Sequence, residues 1–511
     1  MPDAPLAHTT GGEISGRYIT RGPDRVEDQT AIEAFLGVPY AAAPTGDLRW
    51  RSPQPVEPWD GVKECRYPGT AAVQVLRKPG GPLPAQDYEI GEDCLNLNVY
   101  TPACDGATRP VLFWVHGGSY QNGRGAGQDG THLCRNGDIV VVTVNYRMGL
   151  LGFIELAWLD ETRAGSHNLG IQDQIASLRW VHDNIAGFGG DPEQITICGE
   201  SAGAGSVLAI LASPSGDGLF QRVISQSAPA SFGPPHETVA RKLADHVNAE
   251  SIDDLLALSA DEILTAQDAL LNGDRRATTT ADPPALPNNA SRGFRPAIDG
   301  VTVTRDAAPA AAQRGVPLLI GTNDDEGTMF ALHLDRHMTL DGLRAMAAAR
   351  VGEAADAVID AYRTEYPHKT PHEIAVQWMG DLRFWTCSLD VADAAVDAGT
   401  PVHVYRFGWN ARGFGGAFGA MHALEIPFVW KSMLGWETVF GTEPPPTLSD
   451  QLHQAWINYV RTGDPSHDGI GTWPRYDTDR RPTMRFAETT RVVEDPGAQT
   501  HRAWRDALAG P

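Results

Sequence analysis

The chain has 511 residues, 42% of them apolar, with 41 Lys and Arg against 64 Asp and Glu, for a formal net charge of −23. That acidic balance argues against nucleic acid or an anionic membrane surface as a partner, because both require a basic face. The apolar fraction is enough for a sizeable core, and the six cysteines at 65, 94, 104, 134, 198 and 387, with no C-x-x-C pair, fit a reduced compartment better than a disulfide framework or a zinc site.

Met1 to Thr10 has neither a basic n-region nor an apolar h-region, and the longest aliphatic runs, such as Ile139 to Val144, are too short to span a bilayer. A cytoplasmic protein, monomeric or homodimeric, is the expectation. Residues 9–60 read as short strands and turns. Their Pro- and aromatic-rich stretches, Phe35-Leu-Gly-Val-Pro-Tyr-Ala-Ala-Ala-Pro and Leu48-Arg-Trp-Arg-Ser-Pro, suit an edge meander. Residues 76–88 read as a long loop, and Leu95 to Tyr100 alternates as a half-exposed strand would.

Val111–Val115 and Ile139–Asn145 are nearly continuous apolar runs, as strands covered on both faces should be. A helix is expected over Leu169–Ile185, a strand over 194–198, and a helix from Ala202 to Ala212. Further strands are read at 223–227, 317–321 and 401–407, the last clear one. Buried strands alternating with helices predict an α/β fold with a mainly parallel sheet between helical layers. Segments 235–273 and 335–398 read as helical insertions above that sheet in a single domain spanning 1–511. Ala277–Arg295 reads as a surface loop.

The chemistry centres on Gly199-Glu-Ser201-Ala-Gly203, between the strand ending at Cys198 and the helix after it. A serine at such a strand–turn–helix apex is raised out of the sheet, above a helix N-terminus. The glycines let the strand and helix backbones approach, since a Cβ at either would collide with the other element. A serine hydroxyl needs a base, the base needs an orienting acid, and acyl attack needs amide donors for the oxyanion. The run His116-Gly-Gly-Ser-Tyr120 follows a buried strand directly, and the expected donors are the amides of Gly118, Ser119 and Ala202. The turn after strand 317–321 offers Asp324, Asp325 and Glu326, among which spacing does not choose. Nine histidines follow Glu326; His422 stands in a loop-like aromatic run past the last strand, giving the order serine, acid, histidine.

Taken together, Phe35-Leu-Gly-Val-Pro-Tyr, Glu92-Asp-Cys-Leu-Asn-Leu-Asn98, His116-Gly-Gly-Ser-Tyr, Asn145-Tyr-Arg-Met-Gly149, Phe188-Gly-Gly-Asp-Pro192, Gly199-Glu-Ser-Ala-Gly203, Gly321-Thr-Asn-Asp-Asp-Glu-Gly327 and His422-Ala-Leu-Glu-Ile-Pro-Phe428 resemble the type-B carboxylesterases. The resemblance runs from about Gly12 to Phe486. It implies the α/β-hydrolase fold, with Ser201 as nucleophile, His422 as base, Glu326 as acid, and Gly118, Ser119 and Ala202 as oxyanion donors. It further implies that Glu200 tunes the site, that Ser227 supports it, and that Arg147 and Asp173 form a buried ion pair.

The implied activity is hydrolysis of small to medium aryl or alkyl esters through an acyl-enzyme, with a small-molecule ester as partner and no cofactor or metal. Amide, carbamate or thioester cleavage and a non-catalytic binding role are the alternatives. Some positions depart from the family pattern. Ser119 stands where relatives often have Gly, but only its amide is needed. Cys65 lies several residues before the usual partner of Cys94, where Ala71 and Ala72 stand. Residues 65–94 contain no Trp, against choline esters, and Asn289–Phe294 replaces an aromatic acyl wall, suggesting a roomier acyl site.

Overall fold

The computed structural model describes residues 4–22, 27–78, 85–229, 231–235, 237–277 and 294–509. Residues 278–293 of the expected surface loop, including 289–293 of the acyl wall, and 79–84 of the loop at 76–88 therefore lie outside the described residues.

The apolar runs form strands whose side chains alternate between two separate cores. In β4 (Arg109–Val115), Val111, Phe113 and Val115 enter one cluster, while Leu112 and Trp114 enter the other. The same division holds in β5 (Val140–Val144), where Val140, Val142 and Val144 face one side and Val141 the other. A nearly continuous apolar run, broken in β5 only by Thr143, is what a strand with two dry faces requires.

The remaining strands of this sheet are β1 (Arg17–Arg21), β2 (Glu27–Pro39), β3 (Asn96–Thr101), β6 (Gly190–Glu200), β7 (Arg222–Gln226), β8 (Leu318–Asn323), β9 (Val402–Phe407), β10 (Pro482–Phe486) and β11 (Arg491–Glu494). All eleven form one mixed sheet in the order β11-β10-β9-β8-β7-β6-β4-β5-β3-β2-β1. The run from β5 to β10 is parallel, and both margins are antiparallel. On one face lie α1 (Leu169–Asn184) and α2 (Ala202–Leu211), with helices 307–314 and 386–397; on the other lies α3 (Pro446–Thr462).

Several elements differ from the sequence-based expectation. The strand before Ser201 is eleven residues long, because its polar start at Gly190 pairs with Arg109 across a register shift. Phe35–Pro39 belongs to a thirteen-residue strand of the main sheet, and the ladder to β3 shifts register between Phe35 and Val38. That bulge accommodates the prolyl end of a strand lying one place from the edge. The sheet also continues past 407. Its β10 and β11 lack an apolar signature because Arg485 is committed to an ion pair and β11 is an exposed margin.

Residues 340–380 pack in a cluster of their own with Trp504, whereas helix 386–397 places Leu389, Val391, Ala392 and Ala395 in the main core. Cys65 and Cys94 are buried free thiols. No helix among the described residues is long and apolar enough to cross a membrane.

Arg147 and Asp173 lock β5's exit to α1. The guanidinium donates to both carboxylate oxygens at 2.8 and 2.6 Å, the Arg147 amide adds a third bond at 3.0 Å, and Nη1 reaches the Arg51 carbonyl at 2.8 Å. Both partners are buried, so removing one strands a charge. Asp173→Ala is expected to cost about 3–5 kcal/mol of stability. A urea midpoint equal to the wild-type value would refute this.

Candidate active site

The site is assembled where the strand order reverses, at the carboxyl ends of β4, β6 and β8. The turn between β6 and α2 holds Ser201 at φ 55°, ψ −123°, an unusual conformation for a residue with a side chain. Its amide donates to the Gln226 carbonyl of β7 at 2.8 Å, which fixes the apex to the neighbouring strand. A Cβ on Gly199 would strike the Gly203 backbone, as the sequence suggested. A Cβ on Gly203 would instead strike the Val115 carbonyl, so that glycine serves the approach of α2 to β4.

The loop after β4 lies against this turn. A Cβ on Gly117 would sit 2.6 Å from Glu200 Oε2 and 3.1 Å from Ser201 Cβ. Gly118, Ser119 and Tyr120 then follow with φ of 113°, 56° and 58°. Among the described residues, the amides of Gly118 and Ser119 donate to no backbone carbonyl. Ala202 is the first residue of α2, where amides have no intrahelical acceptor.

Glu326 follows β8. Its Oε1 accepts from Ser227 Oγ at 2.5 Å and from the Asn323 amide at 2.7 Å, and its Oε2 meets His422 Nδ1 at 2.5 Å. The two neighbouring acids are engaged elsewhere. Asp324 pairs with Arg406 and Arg485, and Asp325 accepts the Ala420 amide at 2.9 Å, pinning the loop that leads to His422. The geometry thus separates three carboxylates that spacing could not.

The other edge of His422 faces the turn, with Nε2 3.2 Å from Glu200 Oε1, close enough for charge pairing though without hydrogen-bond alignment. Ser227, Glu326, His422 and Glu200 are therefore in direct contact. Ser201 Oγ makes no side-chain hydrogen bond among the described residues and stands open at the apex, with the residue 8% exposed.

Burial opposes charge on the imidazole, yet the carboxylates of Glu200 and Glu326 outweigh it and raise His422 to about 9. Burial pushes Glu200 up to about 8, against the pull of the His422 charge.

Several participants carried no sequence signal strong enough to name them. Glu425 is fully buried and accepts from Asn323 Nδ2 at 2.7 Å and Gln226 Nε2 at 3.0 Å. A carboxylate inside the apolar run Leu424-Glu-Ile-Pro-Phe428 was its only hint. Phe384 stacks on His422 at 4.6 Å and 25°, and Phe330 meets it edge-on at 5.2 Å. Phe384 lies in a π-helical turn, Asp381–Trp385, between helices 371–380 and 386–397. Such bulges recur at functional sites, but no local pattern announces them.

A family profile described as the carboxylesterase family matches residues 3–504. The chain is 33% identical to a phenmedipham hydrolase of Pseudarthrobacter oxydans, over 98% of this chain and 97% of that one. It is 34% identical to a para-nitrobenzyl esterase of Bacillus subtilis, over 92% and 94%. Among solved structures, a PNB esterase superposes with a TM-score of 0.83 at 30% identity, covering 98% of this chain and 99% of its own. A Geobacillus stearothermophilus carboxylesterase gives 0.83 at 32%, covering 98% and 99%.

The contact between Glu200 and His422 can be tested by titration. Removing a negative charge beside an imidazolium withdraws stabilisation from the cation, so the imidazole pKa must fall. In Glu200→Gln, the His422 ring followed by NMR is expected to titrate about 1–3 pH units lower than in wild type. An unmoved midpoint would refute the coupling.

Proposed function

Given that this chain belongs to the carboxylesterase family and has its α/β-hydrolase fold, we propose that it cleaves small to medium aryl or alkyl carboxylic esters through an acyl-enzyme formed on Ser201. The observation that supports this most is the unbroken run of contacts from Ser227 through Glu326 and His422 to Glu200, the residue beside Ser201.

In this reading, neutral His422 accepts the Ser201 proton through Nε2 as Oγ attacks the acyl carbon. Glu326 holds the ring through Nδ1 and stabilises the imidazolium that forms. The amides of Gly118, Ser119 and Ala202 receive the oxyanion; each such donor is worth about 2.7–4 kcal/mol of barrier. The imidazolium returns its proton to the departing alkoxide, and the alcohol leaves. Water then gives a proton to Nε2 as its oxygen attacks the acyl carbon; the acyl–Oγ bond breaks, the imidazolium returns that proton to Ser201 Oγ, and the acid leaves. Glu200 bears on the same nitrogen that must accept the serine proton, so it sets the pH above which His422 is a competent base. Phe384 and Phe330 confine the ring between two apolar faces.

Two measurements test the roles. With para-nitrophenyl acetate and butyrate as substrates, Ser201→Ala is expected to lose about 10,000-fold or more in kcat. Activity surviving in that variant would overturn the proposed nucleophile, and a wild type inert toward both esters would overturn ester cleavage at this site. Separately, Glu326→Gln is expected to lose about 1,000-fold or more in kcat. Asp325→Asn keeps an acceptor for the Ala420 amide and should lose less than about tenfold. The reverse ranking would move the acid by one residue.

A further inference from the structure

Arg383 is a cation beside the site whose charge the described residues leave unmatched. It lies in the π-helical turn one residue before Phe384. Its guanidinium carbon sits 4.4 Å from the centre of the Phe330 ring and 5.3 Å from that of Phe384. Those are the two rings that pack on the His422 imidazole. The guanidinium is thus one aromatic side chain away from the base by either route.

Arg383 Nε is buried without a hydrogen-bond partner, and among the described residues no carboxylate pairs with the group. The neighbouring arginines are matched, Arg406 and Arg485 by Asp324 and Arg481 by Asp393. Burial pulls Arg383 below the ordinary arginine pKa, with the charge of Glu326 acting the other way.

A guanidinium partly out of water, with Nε buried and lacking a hydrogen-bond partner, carries a desolvation cost that its two aromatic faces offset only in part. The cost falls when a carboxylate arrives, because the planar fork of donors matches two carboxylate oxygens. The chain carries a formal net charge of −23, so a local cation beside the site would favour a carboxylate-bearing substrate against that background. We propose that Arg383 receives a free carboxylate of the substrate, and that this enzyme acts on esters carrying one, such as half-esters of short dicarboxylic acids. This rests on the reading of Ser201, His422 and Glu326 as the reacting groups. Arg383 selects the substrate and takes no part in the proton transfers.

The test uses two matched pairs of esters. One pair places the charge on the acyl side, mono-para-nitrophenyl glutarate against para-nitrophenyl pentanoate. The other places it on the leaving group, 4-carboxyphenyl acetate against phenyl acetate. For each pair, the ratio of kcat/KM for the anionic ester to that for its neutral match is measured in wild type, Arg383→Met, Arg383→Gln and Arg383→Lys.

In at least one pair the ratio is expected to fall by about tenfold or more in the Met and Gln variants, the loss of one charge-assisted hydrogen bond, and to recover in the Lys variant. Ratios that stay at the wild-type value in both pairs would overturn the proposal and leave Arg383 as a packing residue. Should no variant fold, the wild-type ratios decide: neutral esters preferred by about tenfold or more in both pairs would overturn it equally. A wild type that turns over the neutral esters but gives either of those overturning results loses only this inference. A wild type that turns over none of the four loses the proposed reaction itself.

Discussion

The short contact between Glu326 and His422 is the constraint on which the rest of the molecule converges. A carboxylate can orient an imidazole only if it is itself immobile, and Glu326 is held by a hydroxyl from the end of β7 and an amide from the end of β8. The imidazole approaches from the opposite side on a loop pinned by Asp325. The anchors sit at the ends of two adjacent strands of one parallel run, β7 and β8, so the relative positions of the groups are those of the sheet. The two dry cores that fix the sheet's strand spacing therefore also fix the geometry of the proposed chemistry.

The second organising fact is an excess of buried negative charge. Glu200, Glu326 and Glu425 all lie out of water near a single histidine. Full ionisation of all three would be prohibitive, and the structure resolves this by distributing donors. Glu326 takes a hydroxyl and an amide, Glu425 takes two side-chain amides, and among the described residues Glu200 faces only the imidazole. Among the described residues, Glu200 is accordingly the member whose burial is opposed by the charge of His422 alone.

How much of this was legible in the sequence depends on how local each feature is. The turn at Ser201 was readable because its strand, glycines and helix are contiguous. The parallel strands were readable because burial on two faces makes their runs nearly continuously apolar. Spacing alone did not choose among the three acids, although the family resemblance pointed to Glu326, because the discriminating partners of Asp324 come from β9 and β10, and β10 lacked an apolar pattern of its own. Gln226, Asn323 and Glu425 were missed for the same reason, since each is ordinary in its own segment and meaningful only across about one hundred to two hundred residues of chain. The role assigned by sequence to Gly203 was half right, because the element it approaches is β4, a strand distant in sequence.

The π-helical turn at Asp381–Trp385 has a consequence for how this site can vary. A π-turn carries an extra residue relative to an α-turn, and each residue of an α-helix advances the side chains by about 100°. Removing one residue from 381–385 would restore a regular helix, but would swing Phe384 and Arg383 around the axis, away from His422 and Phe330. Two groups of unlike chemistry, one apolar wall and one cation, are thereby tied to a single insertion. In this part of the chain, a change in length would alter the surroundings of the imidazole on two sides at once, even though neither strand ends nor catalytic candidates are touched.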